Sequence, residues 1–442
     1  MAEPTYRAPK GTRDLLPPTS GRFRALVDTF ADLAERAGFG LIVPPMFEDA
    51  AVFVRLGEAT DVVTKEMYAF ETKGGDRLAL RPEQTASVVR AFVEHRPDTP
   101  WKAWYAGPNF RYERPQAGRY RQFDQVGVEV LGTEDPAADV EVIALGWRFY
   151  EAVGLRQVAL KLNSLGVPAD RARYIELLRA YLTANLGALS DQSKATLEKN
   201  PLRVLDSKRP EDAAIIERAP VITDSLSDDA ATHFEQVTAG LTSLGIPFEL
   251  APRLVRGLDY YTRTTFEYAA ASLDGAQDAV GGGGRYDGLV ELLGGPPTKG
   301  IGFAIGEDRL ILSLQDQARE AAEAAAQAAS SSETQSPVTS HQSPLLGHQS
   351  PLIFIAWMGH NTYATAVRAA KDLRDAGFPV EVPPTELKFG KALGQADKLG
   401  AQFALILGEN EVSEGMWTLK NLTDGNQVKL PEPALIDHLR SL

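Results

Sequence analysis

The sequence predicts an α+β domain built on an antiparallel sheet, followed by a small α/β domain. Two strand-like runs, 101–113 and 121–132, flank a short polar loop and so predict an antiparallel hairpin. Strand-like segments resume after about residue 247. From residue 352 onward strands and helices alternate, which predicts a mostly parallel sheet. We therefore expect the first domain at residues 1–325 and the second at 351–442.

The elements before and around the hairpin follow from apolar periodicity. Apolar residues at helical spacing over 20–37 end at Gly38, a good helix stop, and the strand-like segment LIVPPMFE follows. A short helix over 85–94, with Thr85 as its N-cap, is expected before the hairpin. After the hairpin, a helix over 139–152 and a strand, VALKLNS, are predicted.

Two segments interrupt the first domain or end it. Residues 169–244 read as a mainly helical insertion without a recognisable motif. Residues 316–350 read as a low-complexity linker, in which an alanine-rich run passes into serine-rich chain and a tandem repeat of HQSPLLG. We expect a frayed helix followed by flexible chain there, because few large apolar groups offset the cost of ordering. His341 and His348 belong to the repeat and are interpreted as incidental.

Composition excludes several classes of protein. The 442 residues are 44% hydrophobic and 24% charged, as expected of a globular protein. Cysteine is absent, which excludes disulfides, thiolate metal sites and cysteine nucleophiles. The N-terminus has no apolar core of signal-peptide length, and no apolar run in the chain reaches the ~20 residues of a membrane span, which favours a cytoplasmic protein. The net charge of -13 argues against nucleic-acid binding, although a local basic track can lie on an acidic body.

The hairpin carries a cluster of charges. Arg111 and Glu113 alternate along one predicted strand and project from one face, and Arg119 and Arg121 return on its partner. A planar, bidentate guanidinium suits phosphate. Two interpretations remain open: the hairpin binds phosphate, or its charges only pair across the strands.

Gln125 and Glu129 lie four residues apart on one face of the second hairpin strand, within the apolar run VGVEVLG. A carboxylate in such a strand needs a partner, which is either a ligand or an Arg or Tyr of a neighbouring strand. The sequence alone favours the second. Arg81, Glu83 and Thr85 lie at the mouth of the predicted helix that precedes the hairpin.

Three further segments combine features of binding sites. RGLDYYTRTTFEY concentrates charge and aromatic surface that can hold an amphipathic ligand, or forms an ordinary edge strand. The glycines 281–284 lack dinucleotide and P-loop spacing. They allow close backbone approach or a bulge, or they form only a turn. Arg309 is expected in the first turn of a helix after a glycine-rich strand, where a surface role is the simple alternative.

Taken in order, these segments resemble the class II aminoacyl-tRNA synthetases over nearly the whole chain. The first helix with LIVPPMFE is similar to motif 1, FRYERPQAGRYRQFDQ to motif 2 and GIGFAIGEDRL to motif 3. RGLDYYTRTTFEY and GGRYDGLVELLGG resemble two stretches peculiar to histidyl-tRNA synthetases. The resemblance implies the class II fold, with an antiparallel sheet as the ATP site, and ligation of histidine to its tRNA through a histidyl-adenylate.

The resemblance also implies roles at the ATP site. Arg111 would hold the α-phosphate, Arg309 the other end of the triphosphate, and Glu113 with Arg121 would fix the nucleotide. Arg256 would lie on the α-phosphate, where other class II enzymes place a metal ion, so that Arg256, Arg111 and Arg309 form the catalytic set. Mg²⁺ would accompany the departing pyrophosphate, and no tightly bound organic cofactor is expected.

For histidine the resemblance implies a second set of residues. Glu83, Thr85 and Gln125 would engage the α-amino group, and Glu129 and Tyr261 the two imidazole nitrogens. An apolar analogue would leave Glu129 unpaired, so no editing domain is expected. The whole set implied for histidine is Glu83, Gln84, Thr85, Arg111, Gln125, Glu129, Arg256, Tyr260 and Tyr261.

The partners implied are L-histidine, ATP, histidine tRNA and a second copy of the chain, joined through the motif 1 region. Arg114, Gln116 and Arg119 of the motif 2 loop would guide the tRNA end, and the C-terminal domain resembles an anticodon-binding module. Lys388, Lys391 and Lys398 are candidate phosphate contacts, with a solvated face as the alternative. We expect the insertion to touch the acceptor arm.

Departures from the family pattern are a longer glycine run, Asp308 where Glu is common, and the linker. The main alternative is a catalytically inactive regulatory relative for histidine biosynthesis. Such relatives typically lack the arginine of the RGLDYY stretch and the C-terminal domain, both of which this sequence contains. A synthetase of the same subclass for another amino acid would require both signature stretches to be coincidental.

Overall fold

The computed structural model describes residues 6–55, 65–205, 207–254, 260–270, 278–331, 351–359 and 362–442. The chain divides into two compact units, Met1–Leu346 and Gly347–Leu442. Within the described ranges, no helix is long and apolar enough to cross a membrane. The elements of the first unit are α1 Thr19–Arg36, β1 Gly40–Leu41, β2 Phe47–Asp49, α2 Ala50–Val54, β3 Ala69–Glu71, β4 Arg77–Leu80, α3 Thr85–His95, β5 Trp101–Phe110, β6 Gln122–Leu131, α4 Pro136–Ala152, β7 Val158–Ser164, α5 Pro168–Ala184, α6 Asp191–Lys199, α7 Pro210–Glu217, α8 Asp228–Ser243, β8 Glu249–Leu250, β9 Thr262–Ala270, β10 Ala279–Arg285, α9 Leu289–Leu292, β11 Gly300–Gly306 and α10 Glu307–Ser331.

A largely antiparallel sheet forms the centre of the first unit and confirms the predicted fold class. In the described part of the chain its eight strands lie in the order β1-β5-β6-β11-β10-β9-β7-β8. Only the edge pairs β1/β5 and β7/β8 are parallel. Strands β10 and β11, which follow the helical insertion in sequence, lie between β6 and β9, so the sheet is completed after the insertion.

Alternation along β6 separates the two faces of this sheet. Val126, Val128 and Val130 are buried in the main core against helices α1, α4, α8 and α10. Gln125 and Glu129 therefore point to the opposite face, as predicted from the period of two. That face is the floor of the cleft described below.

The helical segment predicted as an insertion belongs to two different cores. Helices α5, α6 and α7 pack around Tyr174, Leu178 and Leu182 in a second apolar cluster. Helix α8 instead buries Val237 and Leu241 in the main core. Helix α8, the last helix of the segment, thus belongs to the sheet domain. The scattered charges of the segment do not indicate this.

The hairpin strands are shorter than predicted. The strand β5 ends at Phe110 and β6 begins at Gln122, so the expectation that Arg111 and Glu113 alternate along a strand is wrong. Residues 111–121 form a loop that is closed by a backbone bridge between Gln116 and Arg119. The loop positions its charges by turns and side-chain contacts, since it lacks the pleat of a strand.

Two other expectations concern the end of the first unit. The glycines 281–284 lie within strand β10, so their interpretation as a turn is wrong. Close backbone approach is confirmed, and the pairing of β10 with β9 shifts register at both ends of the run, as the alternative of a bulge predicted. The predicted linker, 316–350, begins as a continuous helix, because α10 extends to Ser331. Its remainder, with the tandem repeat, lies outside the described residues.

The second unit is an α/β domain with a five-stranded sheet in its described residues. Three strands are parallel, as predicted, and the last two form an antiparallel hairpin. The expectation of a mostly parallel sheet missed this hairpin, whose signal is the turn around Asp424 and Gly425 between alternating residues. The elements are β12 Ile353–Trp357, α11 Tyr363–Asp375, β13 Val380–Glu381, α12 Phe389–Lys398, β14 Phe403–Leu407, α13 Glu409–Glu414, β15 Met416–Asn421, β16 Gln427–Pro431 and α14 Leu435–Ser441.

Candidate active site

An open cleft of about 290 Å³ lies on the face of the main sheet opposite the main core. Its floor is formed by strands β5, β6, β10 and β11, and its sides by the start of α3, the 111–121 loop and the start of α10. Most of the residues proposed from the sequence line it together. These are Glu83, Gln84, Thr85, Arg111, Glu113, Arg119, Gln125, Tyr260, Tyr261 and Arg309.

Glu83 is fixed by the N-terminus of helix α3. The backbone N–H groups of Thr85 and Ala86 donate to its two carboxylate oxygens at 2.8 and 2.9 Å. The expected N-cap role of Thr85 is therefore wrong, because Thr85 is the first helical residue and Glu83 satisfies the unpaired N–H groups of the first turn. Glu83 is buried, and burial raises its pKa against the lowering effect of these hydrogen bonds.

Glu129 lies beneath the cleft and accepts three hydroxyl hydrogen bonds. Thr85 and Tyr105 donate to its Oε1 at 2.7 and 3.2 Å, and Tyr286 donates to Oε2 at 2.6 Å. Tyr105 stands on the neighbouring strand β5, so the prediction of a tyrosine partner for Glu129 is confirmed. A carboxylate oxygen accepts two hydrogen bonds, and Oε2 therefore retains acceptor capacity.

The protonation states of this pocket follow from its burial. Burial raises the pKa of Glu129 to about 8 despite hydrogen bonds from Tyr286 and Thr85. Burial, followed by the charge of Glu129, raises the pKa of Tyr105 and of Tyr286 well above the usual value. The tyrosine hydroxyls therefore stay protonated and remain hydrogen-bond donors. Any positive charge that enters the cleft would stabilise the ionised form of Glu129.

Glycine is required on β11 directly beside Glu129. A Cβ atom at Gly302 would lie 1.7 Å from Oε2 of Glu129 and 2.5 Å from the Val128 carbonyl. At Gly283 a Cβ atom would lie 2.0 Å from the Gly302 carbonyl. The glycine-rich strands thus leave room for a carboxylate below the cleft and for a ligand above it.

Gln125 and Gln84 complete the wall around this end of the cleft. The side-chain oxygen of Gln125 accepts from Asn109 at 2.9 Å, which fixes the amide against the floor. Gln84 is buried and donates to the Gly107 carbonyl at 3.2 Å. Tyr260 and Tyr261 are both nine-tenths buried, with ring centroids 4.7 Å apart, and Tyr260 also contacts Tyr286 edge-on.

The 111–121 loop brings arginines to the other end of the cleft. Nε of Arg111 donates to the Pro82 carbonyl at 2.9 Å, and its guanidinium lies 5.2 Å from the ring of Phe123. Glu113 lies between Arg111 and Arg119, with closest N–O distances of 3.9 and 3.6 Å. Glu113 thus orients both arginines, and at these distances it forms a tight ion pair with neither of them.

Arg309 approaches the same loop from helix α10. A Cβ atom added to Gly118 would lie 3.3 Å from its Cγ, so the turn of the loop packs on this side chain. Burial, followed by the charge of Arg119, lowers the pKa of Arg309, which still remains a cation at neutral pH. Two cations held this closely favour an anion between them.

Other predicted residues lie away from the cleft or outside the described part. Arg121 stacks on Tyr112 at 3.7 Å and donates to the Glu113 carbonyl at 3.2 Å, so it supports the loop from behind. Arg114 and Gln116 are exposed on the loop. Arg256 lies outside the described residues.

Sequence reasoning missed Tyr105 and Tyr286 as site residues. The sequence could have indicated Tyr105. In the predicted hairpin it pairs with Gly127, which lies between Gln125 and Glu129 on the other strand. Tyr286 follows the glycine run in the stretch GGRYDG, and only the pairing of β10 with β11 brings it to Glu129. No spacing along the chain predicts that contact.

The chain is similar to known synthetases along its whole length. The family model for histidyl-tRNA synthetase matches residues 11–310, and that for an anticodon binding domain matches residues 353–442. A histidine--tRNA ligase of Rhodococcus erythropolis is 43% identical, over 99% of this chain and 98% of its own length. One of a Synechococcus species is 44% identical, over 98% of this chain and 99% of its own length.

A solved structure agrees with the fold. The apo histidyl-tRNA synthetase of S. aureus superposes with a TM-score of 0.73 at 34% identity, and the match covers 99% of this chain and all of that one. Regulatory relatives typically lack the C-terminal domain, whereas the family model for an anticodon binding domain matches residues 353–442 of this chain. The chain therefore belongs to the histidyl-tRNA synthetase family.

Proposed function

We propose that this chain is a histidine-tRNA ligase that activates L-histidine with ATP and then transfers it to the 3′ end of its tRNA. One observation supports this best: a single cleft joins a buried acid-and-hydroxyl pocket, around Glu129, to an arginine-lined end around Arg111 and Arg309. The first end suits an imidazole and an ammonium group, and the second suits a triphosphate.

In the histidine half, Glu129 and Tyr261 are proposed to bond the two imidazole nitrogens. Oε2 of Glu129 has acceptor capacity for an imidazole N–H, and a buried hydroxyl can serve the other nitrogen. The α-amino group is proposed to lie against Glu83, Thr85 and Gln125. An analogue without ring N–H would leave Glu129 short of a partner, which disfavours apolar amino acids.

In the nucleotide half, the histidine carboxylate is proposed to attack the α-phosphorus of ATP. An oxygen–phosphorus bond forms, the bond to the bridging oxygen breaks, and pyrophosphate leaves. Arg111 would hold the α-phosphate and Arg309 the other end of the triphosphate, where fixed positive charge stabilises the developing negative charge. Glu113 and Arg121 would orient the nucleotide through the loop.

Arg256 is proposed, on resemblance alone, to contact the α-phosphate as well. In the described ranges, no three His, Asp or Glu side chains are grouped to hold a metal ion. Magnesium is therefore proposed to arrive as MgATP, held mainly by the triphosphate itself, which is how Mg²⁺ usually reaches nucleotide sites. The remaining charge stabilisation is assigned to the arginines of the chain.

The second step is proposed to use the loop and the second unit. The tRNA terminal adenosine would attack the carbonyl carbon of the adenylate and release AMP, guided by Arg114, Gln116 and Arg119. The second unit, 351–442, would bind the anticodon, and its exposed lysines are candidate phosphate contacts. The insertion is proposed to contact the acceptor arm. The exposed candidate lysines of the second unit are Lys388, Lys391 and Lys398.

A homodimer is proposed through the motif 1 region. Leu41, Val43, Met46 and Phe47 expose 53 to 77% of their surface next to the edge strand β1. A continuous apolar surface of this kind favours a protein partner, and a second copy is the occupant that we propose. Because bacterial translation takes place in the cytoplasm, we propose that location for the enzyme.

Amino-acid-dependent exchange of pyrophosphate into ATP tests the proposed function. Purified protein is assayed with each common amino acid in turn, and exchange is expected with histidine alone. Arg111→Ala should abolish it, whereas Arg319→Ala, which removes an exposed pair with Asp316 on α10, should not. Exchange with another amino acid would overturn the pocket assignment, and exchange with none would favour the regulatory relative.

Arg256→Ala tests the residue assigned by resemblance only. The variant should fold normally and form the adenylate much more slowly, by about a hundredfold or more if one charge contact to the transition state is lost. Circular dichroism and single-turnover adenylate formation measure the two effects. Wild-type adenylate formation in this variant would remove Arg256 from the mechanism.

A further inference from the structure

An N-terminal turn, residues 9–13, lies against the outer side of the 111–121 loop. Gly11 and Arg13 contact the loop, and neither was singled out as a site residue from the sequence. The turn is closed by hydrogen bonds from the backbone and the hydroxyl of Thr12 to the Pro9 carbonyl, at 2.9 and 2.8 Å. It is therefore an ordered element rather than a loose tail.

Backbone hydrogen bonds connect this turn to Arg111. The Gly11 carbonyl accepts from the N–H of Arg121 at 2.7 Å, and the Arg121 carbonyl accepts from the N–H of Arg111 at 2.9 Å. Gly11 has φ +85°, and a Cβ atom there would lie 2.6 Å from Cγ of Arg121. Glycine is thus required for the turn to approach the loop so closely.

Side-chain contacts connect the same turn to Arg309. The guanidinium of Arg13 stacks on the ring of Tyr120, 3.7 Å from its centroid, and forms an ion pair with Asp308. Tyr120 belongs to the loop, whereas Asp308 stands beside Arg309 at the start of α10. One side chain therefore joins the two elements that carry the cations of the nucleotide half.

Arg13 also offsets negative charge at this end of the cleft. Asp124 and Asp308 both line the cleft, and the charge of Arg13 acts to lower the pKa of Asp124 against the raising effect of burial. Without Arg13, the carboxylates would face an incoming triphosphate without this compensation. Repulsion and a looser loop would both weaken nucleotide binding, and neither acts on the histidine pocket directly.

We propose that Arg13 is a positioning residue for ATP: it holds the 111–121 loop and the start of α10 in the arrangement that places Arg111 and Arg309 on the triphosphate. The inference rests on the proposed function of the cleft. It assigns a role to a side chain that touches no substrate, and it predicts an effect on one substrate but not on the other.

Steady-state pyrophosphate exchange of Arg13→Ala tests the inference. The KM for ATP should rise about tenfold, whereas the KM for histidine should stay within about twofold. Arg13→Lys keeps the charge but loses the planar stack on Tyr120, and should lie between the wild type and Arg13→Ala. Arg319→Ala, an exposed arginine paired with Asp316 on α10, serves as the matched control and should behave as wild type.

The outcomes separate the two proposals. A wild-type chain without histidine-dependent exchange would refute the proposed function itself. An active wild type with unchanged ATP KM in Arg13→Ala would overturn the role of Arg13, and so would equal rises in both KM values. If Arg13→Ala fails to fold, as seen by circular dichroism, the ATP KM of Arg13→Lys decides: a selective rise supports the role and its absence refutes it.

Discussion

Glu129 shows how a single residue is tuned by its surroundings in the folded chain. Three hydroxyl donors hold its carboxylate, yet burial outweighs them and raises its pKa to about 8. Its site needs Gly302, since any larger residue would overlap Oε2. A carboxyl group that burial makes costly to ionise is matched to a substrate that brings an N–H donor or a positive charge.

The Glu129→Gln variant should separate the cost of ionising a buried carboxyl group from the role of that group in binding histidine. The folded pKa of Glu129, about 8, lies above its ordinary value of 4.5, so the folded state binds the extra proton within that window. The protonated form of Glu129 contributes stability to the folded state. That contribution is fully present below the ordinary pKa of 4.5 and is lost as the pH rises through the folded pKa of about 8. Glutamine does not titrate, and the variant should lose less stability on going from about pH 5 to about pH 9.

Urea unfolding at both pH values, with histidine-dependent exchange, measures these effects. Exchange should fall by at least about a hundredfold, because one of the two accepting oxygens becomes an NH₂ group, which donates and cannot accept a hydrogen bond. Glu134→Gln, on the exposed loop after β6, is the matched control. The idea fails if the variant activates histidine normally or shows the pH dependence of the wild type.

Elements with a clear period were predictable, and contacts between distant elements were not. The helix α1 and strand β6 follow from periods of 3.6 and two, which the structure reproduces within a residue or two. The end of β5 at Phe110 was missed, because an alternating charge pattern in a loop imitates a strand. The Tyr286–Glu129 contact depends on sheet order, which no local pattern encodes.

A buried ion pair joins helix α4 to strand β10. Nε of Arg285 donates to Asp139 Oδ2 at 2.8 Å, and both side chains are fully buried. His233 of helix α8 contacts the other oxygen of Asp139 at 3.2 Å. Because Tyr286 follows Arg285 directly, this pair also fixes the strand end that presents the tyrosine to Glu129.

Asp139→Ala should destabilise the first unit by about 3 kcal/mol, since it removes the closer carboxylate partner of the buried Arg285 charge and leaves Asp287, 3.4 Å away. Glu141→Ala, two residues along α4, removes a half-exposed pair with Lys102 and should cost about 1 kcal/mol or less. Free energies of unfolding from urea denaturation compare the two variants. Equal costs for the two would show that the buried pair does not hold these elements together.

At the scale of the whole molecule, two units have separate apolar cores. Helices and the central sheet enclose the larger cores of the first unit, whereas β12, β14 and α11 enclose that of the second. The shift in composition over 316–350 predicted a linker, and the two compact units meet within that range, at 346/347. The exposed apolar surface around Val43 could not be predicted, because exposure depends on which strand lies at the edge.

Val43→Asp tests the proposed dimer. Val43 exposes 77% of its surface, so the substitution should leave the folded monomer intact and place a charge within the proposed interface. Analytical ultracentrifugation should show a dimer for the wild type and a shift of at least about tenfold in its dissociation constant for the variant. Leu292→Asp, an exposed apolar position elsewhere, should not shift it. A monomeric wild type, or a variant that remains a tight dimer, would place the interface elsewhere or remove it.

A chain that ends at residue 346 should still activate histidine but should charge tRNA less efficiently. The proposed residues for histidine and ATP all precede residue 310, and the first unit has its own cores, so histidine-dependent exchange should stay within about threefold of the full chain. The KM for tRNA in charging should rise about tenfold or more, because the anticodon-binding contacts are lost while the acceptor end still reaches the cleft. If the shortened chain folds but exchanges no pyrophosphate, activation depends on the second unit. If it charges tRNA with an unchanged KM, the second unit does not supply tRNA affinity.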